Sequence, residues 1–292
     1  MARILSGKEF AAKIKEEAGR KAAELKAVGV HPCLAVIIVG MDPASEVYVR
    51  NKEKACAELG IRSDHVALPE ETTPEELIAC IDALNADEDV HGILVQLPLP
   101  LHMAAYAPQI LSRIDPRKDV DGFHPVNLGR LFIGQSGLRP CTPAGCIRML
   151  AYAGIQMEGT HAVIVGRSNI VGKPMAHLLL ERNATVTLCH SRTRDLDAIA
   201  RTADILVAAV GRPKFVTADM VKPGATVIDV GINRIAPKQL VGDVDFDAAS
   251  KIAGAITPVP GGVGLLTVAM LMENVVQAAA LQHEQGGTGN AL

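Results

Sequence analysis

Tyr48 and Lys52 stand four positions apart in the segment Ser45-Glu-Val-Tyr-Val-Arg-Asn-Lys52, which reads as a helix over residues 45–59. At that spacing a phenol and an amine share one helix face. Burial lowers a lysine pKa toward neutrality, so the pair suits acid–base chemistry, although the same spacing also fits a solvated face. Gln96 ends an apolar run, Gly92-Ile-Leu-Val-Gln-Leu97, and needs a ligand or backbone partner if it is buried there. Pro98 and Pro100 stiffen the loop that follows. In Lys118-Asp-Val-Asp121-Gly-Phe123 two carboxylates flank a valine in a glycine-containing turn. Metal binding is one reading of Asp119 and Asp121. The more economical one is a single carboxylate accepting two parallel N–H bonds from a flat heterocycle.

A second set of residues points to a nucleotide. His161-Ala-Val-Ile-Val-Gly166-Arg-Ser168-Asn-Ile-Val-Gly172 reads as a strand, a glycine turn and a helix start, a context that holds a pyrophosphate on helix N–H groups. The pattern is Gly-x-Ser-x-x-x-Gly rather than Gly-x-Gly-x-x-Gly, so the motif alone is weak and also fits a plain βα turn. The next strand ends Cys189-His-Ser191-Arg192-Thr193, with no acid before Asp195. An acid there would bond a ribose 2′-hydroxyl, whereas hydroxyl and cationic groups suit a 2′-phosphate. Ser191, Arg192 and Arg167 therefore favour NADP over NAD. Gly211 and Gly231 end later strands, where backbone can approach the nicotinamide half.

The elements that must position these residues alternate. Helix is expected over residues 6–28 and 45–59, from residue 73 to before the strand at residue 92, and over residues 267–283, with capping boxes at Ser6/Glu9 and Thr73/Glu76. Strands are expected at residues 34–39, 64–68, 92–97, 162–165, 185–189, 205–209, 226–230 and 254–256. This rhythm predicts parallel sheets with helical crossovers, broken by a Pro/Gly-rich zone over residues 115–143 that marks a domain boundary. Nearly half of the 292 residues are apolar and only 3% are aromatic, so Ala, Val, Ile and Leu fill the core. A net charge of -3 gives no reason to expect nucleic acid, and no apolar run approaches the roughly 18 residues of a membrane span. The six cysteines form no CxxC pair and read as reduced thiols of a cytoplasmic protein, with no metal site.

Five segments, in order, resemble one family: Tyr48-x-x-x-Lys52, Val95-Gln-Leu-Pro-Leu-Pro100, Lys118-Asp-Val-Asp-Gly-Phe123, Arg139-Pro-Cys-Thr-Pro143 and Thr257-Pro-Val-Pro-Gly-Gly-Val-Gly264. Together they are similar to the methylenetetrahydrofolate dehydrogenase/cyclohydrolase family over residues 4–283. The resemblance implies NADP-dependent oxidation of 5,10-methylenetetrahydrofolate and hydrolysis of the methenyl product to 10-formyltetrahydrofolate, in one-carbon metabolism and purine biosynthesis. It implies an α/β fold of two domains around a cleft, the second Rossmann-like and doubly wound, in a homodimer. The folate domain would be residues 1–139 with helix 267–283 returning to it, the NADP domain residues 140–266, and residues 284–292 a disordered tail. Implied roles are Lys52 as the main catalytic residue, Tyr48 stacking on the folate, Gln96 tuning Lys52, and Asp121 binding the pterin. Pro260, Gly261 and Gly262 would lie near the substrate, and Gly166, Arg167, Ser168, Ser191, Arg192 and Ile232 would contact NADP. One departure stands out: Leu265 occupies the position of a usual proline, which should loosen that loop. A shikimate-type dehydrogenase and a non-catalytic nucleotide-binding protein are the competing readings.

Overall fold

The computed structural model describes residues 1–40, 43–236 and 239–288, with side chains of 43–49 and 286–288 left aside. In chain order the elements are β1 (Arg3–Ile4), α1 (Gly7–Ala27), β2 (Cys33–Val39), α2 (Pro43–Leu59), β3 (Arg62–Leu68), α3 (Pro74–Ala86) and β4 (Gly92–Val95). Two helices then follow, α4 (Ala107–Leu111) and α5 (Pro125–Phe132), leading to α6 (Cys141–Tyr152). Beyond them come β5 (His161–Val165), α7 (Gly172–Leu180), β6 (Thr185–Cys189), α8 (Leu196–Ala200), β7 (Ile205–Ala208) and β8 (Thr226–Asp229). The chain closes with β9 (Asn233–Ala236), β10 (Gln239–Val241), α9 (Phe246–Ala249), β11 (Ala255–Ile256) and α10 (Val263–Thr288).

The chain divides into two compact units. One comprises residues 14–141 and 268–292, the other residues 1–13 and 142–267. The first, here the catalytic unit, is built on a parallel three-stranded sheet in the order β3-β2-β4. All seven residues of β2 are buried, as its unbroken Cys-Leu-Ala-Val-Ile-Ile-Val run requires of a strand covered on both faces. Helix α3 starts where its signals place it: Thr73 and Glu76 form a reciprocal capping box and Pro74 sits in the first turn. The second, the nucleotide unit, carries a six-stranded sheet in the order β1-β11-β8-β7-β5-β6, every pair parallel. β5 lies next to the edge strand, with β6 on one side and β7 on the other.

Several boundaries differ from the sequence expectation. The first 13 residues belong to the nucleotide unit, because β1 adds as a parallel edge strand to β11. The Pro/Gly-rich zone is not irregular throughout: α5 occupies part of it and α6 begins at Cys141. Pro125 opens α5 rather than breaking a helix, and the His124 ring nitrogen accepts the Val126 N–H at 3.1 Å. β4 stops at Val95, so Gln96 lies just past the strand, its backbone N–H still bonded to Ile37 O at 2.9 Å.

The terminal helix is also longer than expected. It starts at Val263 and runs to Thr288, so residues 284–288 are helical, and residues 289–292 lie outside the described residues. By length and composition it would be able to cross a membrane, with a mean hydropathy of 1.5 over its best stretch. Glu273 and Asn274 interrupt its apolar run and hide this from a simple reading, which corrects the expectation that no segment approaches that length. Its residues Met270, Leu271, Met272, Val275 and Val276 are buried, as in a core helix.

Candidate functional site

The catalytic unit brings Lys52, Gln96 and Asp121 together. The Lys52 ammonium nitrogen donates to Gln96 Oε1 at 2.8 Å, and the Gln96 amide donates in turn to Leu97 O at 2.7 Å. This fixes which end of the Gln96 amide faces the lysine. Burial lowers the Lys52 pKa from its ordinary 10.5, while the nearby Asp121 charge works in the opposite direction. Burial likewise pushes the Asp121 carboxyl up to about 6 against the pull of Lys52. Tyr48 lies on α2, but its side chain is outside the described residues.

The two carboxylates of the Asp-Val-Asp turn have different fates. Asp119 is buried and accepts from Phe123 N (3.2 Å), His124 N (2.8 Å) and Asn127 Nδ2 (2.9 Å). It is a bracket for the turn entering α5. Asp121 is partly exposed, and among the described residues no hydrogen bond reaches its carboxylate. The preceding Lys118 is buried with its ammonium on Leu84 O, Asn85 O and Asp87 O, where it caps the carboxyl end of α3. Among the described residues no three His, Cys, Asp or Glu side chains group as metal ligands.

Asn274 and Cys141 escaped the sequence reading. The Asn274 amide donates to Val120 O (2.7 Å) and Arg139 O (2.9 Å), pinning the backbone on either side of the Asp121 turn to α10. Cys141 donates to Val120 O at 3.3 Å, and burial holds its thiol well above the usual range. Nothing in the local sequence around residue 274 signals this, because the partners lie 154 and 135 residues away.

In the nucleotide unit Gly166 ends β5 with φ 130°, and an added Cβ would sit 2.1 Å from Ala209 O. No other residue fits there. The Ser168 hydroxyl accepts Val171 N (3.1 Å) and Gly172 N (3.3 Å), which shapes the turn into α7 and leaves its O–H free to donate. Arg167, Ser191 and Arg192 are exposed at the carboxyl ends of β5 and β6. Thr193 Oγ1 accepts His190 N, and His190 Nδ1 accepts Arg192 N, so this second loop is locked by its own residues. Ile232 is exposed after β8. Pro260, Gly261 and Gly262 belong to this unit and precede α10. Leu265 lies in the first turn of α10, and its N–H reaches Gly262 O at 3.3 Å, a bond a proline cannot make.

The buried carboxylates Asp229 and Asp243 were also missed. Asp229 accepts Asp243 N (2.8 Å), Val244 N (3.0 Å) and the Gly231 N–H. Burial raises it to about 7 despite these bonds. Asp243 accepts Val210 N (2.6 Å), Gly211 N (2.9 Å), Arg212 N (2.9 Å) and Asn233 Nδ2 (2.9 Å).

Comparisons with known proteins agree on what these sites belong to. Residues 5–121 match the catalytic domain of tetrahydrofolate dehydrogenase/cyclohydrolase, and residues 140–283 match its NAD(P)-binding domain. The bifunctional protein FolD of Acetivibrio thermocellus is 58% identical over 281 residues, 96% of this chain and 98% of that one. The crystal structure of the FolD dehydrogenase/cyclohydrolase from Campylobacter jejuni superposes with a TM-score of 0.93 at 51% identity, covering 96% and 99% of the two chains. The Trypanosoma brucei FolD, complexed with NADP and an inhibitor, gives a TM-score of 0.90 at 41% identity, covering 96% and 98%. These matches set aside the shikimate-type and non-catalytic readings: the chain is a member of the tetrahydrofolate dehydrogenase/cyclohydrolase family.

Proposed function

We infer that a single lysine, Lys52, serves both reactions of this family member. The chain is a bifunctional enzyme that oxidises 5,10-methylenetetrahydrofolate with NADP and hydrolyses 5,10-methenyltetrahydrofolate to 10-formyltetrahydrofolate. The observation that carries the role of Lys52 is its half-buried amine, bonded to Gln96 at 2.8 Å beside the Asp121 charge.

The nucleotide unit fits NADP on its own geometry: the Gly166 cradle has no room for a side chain, the amino end of α7 follows it, and Arg167 and Arg192 stand exposed for a 2′-phosphate. Gly166, Arg167, Ser168, Ser191, Arg192 and Ile232 would hold the cofactor. Bound NADP supplies the acceptor for the hydride that leaves the one-carbon bridge. Positive charge then develops on the folate, and a protonated Lys52 would oppose it, so a depressed lysine pKa favours this step.

In the hydrolysis Lys52 acts as a base. Its amine takes a proton from the water attacking the methenyl carbon, then returns it to the ring nitrogen as the carbon–nitrogen bond breaks, while the remaining hydroxyl proton passes to solvent as the formyl C=O forms. Gln96 Oε1 accepts one N–H of the lysine and so aims the remaining valences. Asp121, ionised above about pH 6, accepts paired N–H bonds from the pterin. Tyr48 would orient the folate ring. Hydride transfer needs mainly positioning, whereas proton transfer is worth ~10²–10⁴-fold. Lys52→Met should therefore abolish methenyl hydrolysis, followed by loss of methenyl absorbance, while leaving NADP binding near normal and some dehydrogenase activity. Hydrolysis at the parent rate would remove Lys52 from the mechanism.

A cytoplasmic homodimer completes the reading. Six free thiols suit a reducing compartment, and β3 leaves one edge of its sheet open for pairing. Sedimentation at micromolar concentration tests the dimer, and a monomer would refute it.

A further inference from the structure

Asp243 lies between β10 and α9 and is 0% exposed. Its carboxylate has four acceptor positions, and four donors fill them. Oδ2 takes Val210 N and Gly211 N, and Oδ1 takes Arg212 N and the Asn233 side-chain amide. The first three donors are consecutive N–H groups of the turn after β7, and the fourth is the side chain of Asn233, the first residue of β9, which closes the turn after β8. One carboxylate thus ties together two loops at the carboxyl ends of adjacent parallel strands, the edge where an open sheet receives a dinucleotide.

Asp243 is itself held from below. The Asp229 carboxylate, at the end of β8, accepts the N–H groups of Asp243 and Val244, and Asp229 N donates to Thr257 Oγ1 at 2.7 Å. A Cβ at Gly231 would come within 2.1 Å of the Asp243 carboxyl, so the β8 turn closes tightly over it. None of these groups needs to touch a ligand. Their arrangement sets the backbone that presents Gly211 and Ile232.

We propose that Asp243 is a positioning residue for the nicotinamide half of the cofactor, acting through the two loops it joins. This rests on the reading above that the Gly211 and Ile232 loops meet NADP. The adenosine half is read elsewhere, by the Gly166 turn and Arg192, so the two halves respond separately to disturbance at Asp243.

The test is Asp243→Asn, read by calorimetric binding of NADP and of 2′-phospho-ADP-ribose, which lacks the nicotinamide. The amide replaces one acceptor oxygen by an NH2 group facing N–H donors. NADP affinity should fall ~10- to 100-fold, the loss expected of charge-assisted bonds broken inside the fold. Affinity for 2′-phospho-ADP-ribose should stay within about twofold of the parent, and methenyl hydrolysis, carried by residues of the other unit, should persist. Equal losses for both ligands, or no loss for either, would overturn the proposal. Should Asp243→Asn fail to fold, Asn233→Ala removes one donor and keeps the carboxylate, and must show the same selective loss on a smaller scale. A parent protein that binds ADP-ribose as well as its 2′-phosphate form would instead refute the NADP reading itself.

Discussion

Asp243 in the nucleotide unit and Asp121 in the catalytic unit are carboxylates with opposite surroundings. The first is fully buried with every acceptor position filled from the chain itself. The second is partly exposed, faces a lysine, and among the described residues receives no hydrogen bond. A carboxylate whose valences are all met by backbone is spent on holding loops in place. One desolvated without such bonds sits in a costly state that a ligand with matching donors relieves. The same contrast recurs two residues apart in the catalytic unit, where Asp119 is bracketed by Phe123, His124 and Asn127 and Asp121 is not.

Exchanging the roles of Asp119 and Asp121 gives the largest expected effects. Asp121→Asn should lower folate turnover at least tenfold, since an amide cannot accept two parallel N–H bonds. Its effect on stability has the opposite sign. The folded pKa of Asp121, about 6, is raised above the ordinary 3.8, so stability is lost as pH rises from about 3.8 to about 6 and the loss is complete above that. The Asn variant should therefore melt higher than the parent at pH 7.5, by at most about 3 kcal/mol, with the gain vanishing toward pH 4. Burial raises the Asp119 carboxyl as well, but its oxygens are held by three donors, and an amide there would set an NH2 group against N–H donors, so Asp119→Asn should destabilise the unit. Thermal melts of both variants across pH decide this, and a destabilised Asp121→Asn at pH 7.5 would collapse the contrast.

A smaller effect is expected at the exposed edge of the nucleotide unit. Arg192→Asp removes a cation and adds repulsion, which should raise the Michaelis constant for NADP about tenfold or more and barely alter that for NAD. Equal changes for both cofactors would show that Arg192 does not read the 2′-phosphate.

How much of this was legible follows the range of each interaction. Thr73, Pro74 and Glu76 announce the start of α3 because capping is local, and the unbroken apolar run of β2 announces a covered strand. Gly166 and Ser168 sit in a turn whose geometry is written in neighbouring residues. The helix opened by Pro125 was not legible inside the Pro/Gly-rich zone, because a proline that opens a helix and one that ends it look alike in composition. Asp119 and Asp121 are equivalent in sequence, and only the return of the chain at residues 123–127 separates them. Asp243 meets its partners across 33 residues and Asn274 across 154, distances at which no pattern of spacing carries information. The Tyr48/Lys52 pair was visible as a helix face, yet its chemistry depends on Gln96, 44 residues on.

The central claim is that burial holds Lys52 in a more readily neutral state, which makes it the base for hydrolysis. It is tested most directly by titrating the Lys52 side chain by carbon-13 NMR, with its signal assigned from its absence in Lys52→Met. The amine should titrate below the ordinary 10.5, and the hydrolysis rate should rise with pH through the same midpoint. A midpoint at or above 10.5, or a rate that ignores it, would contradict the account.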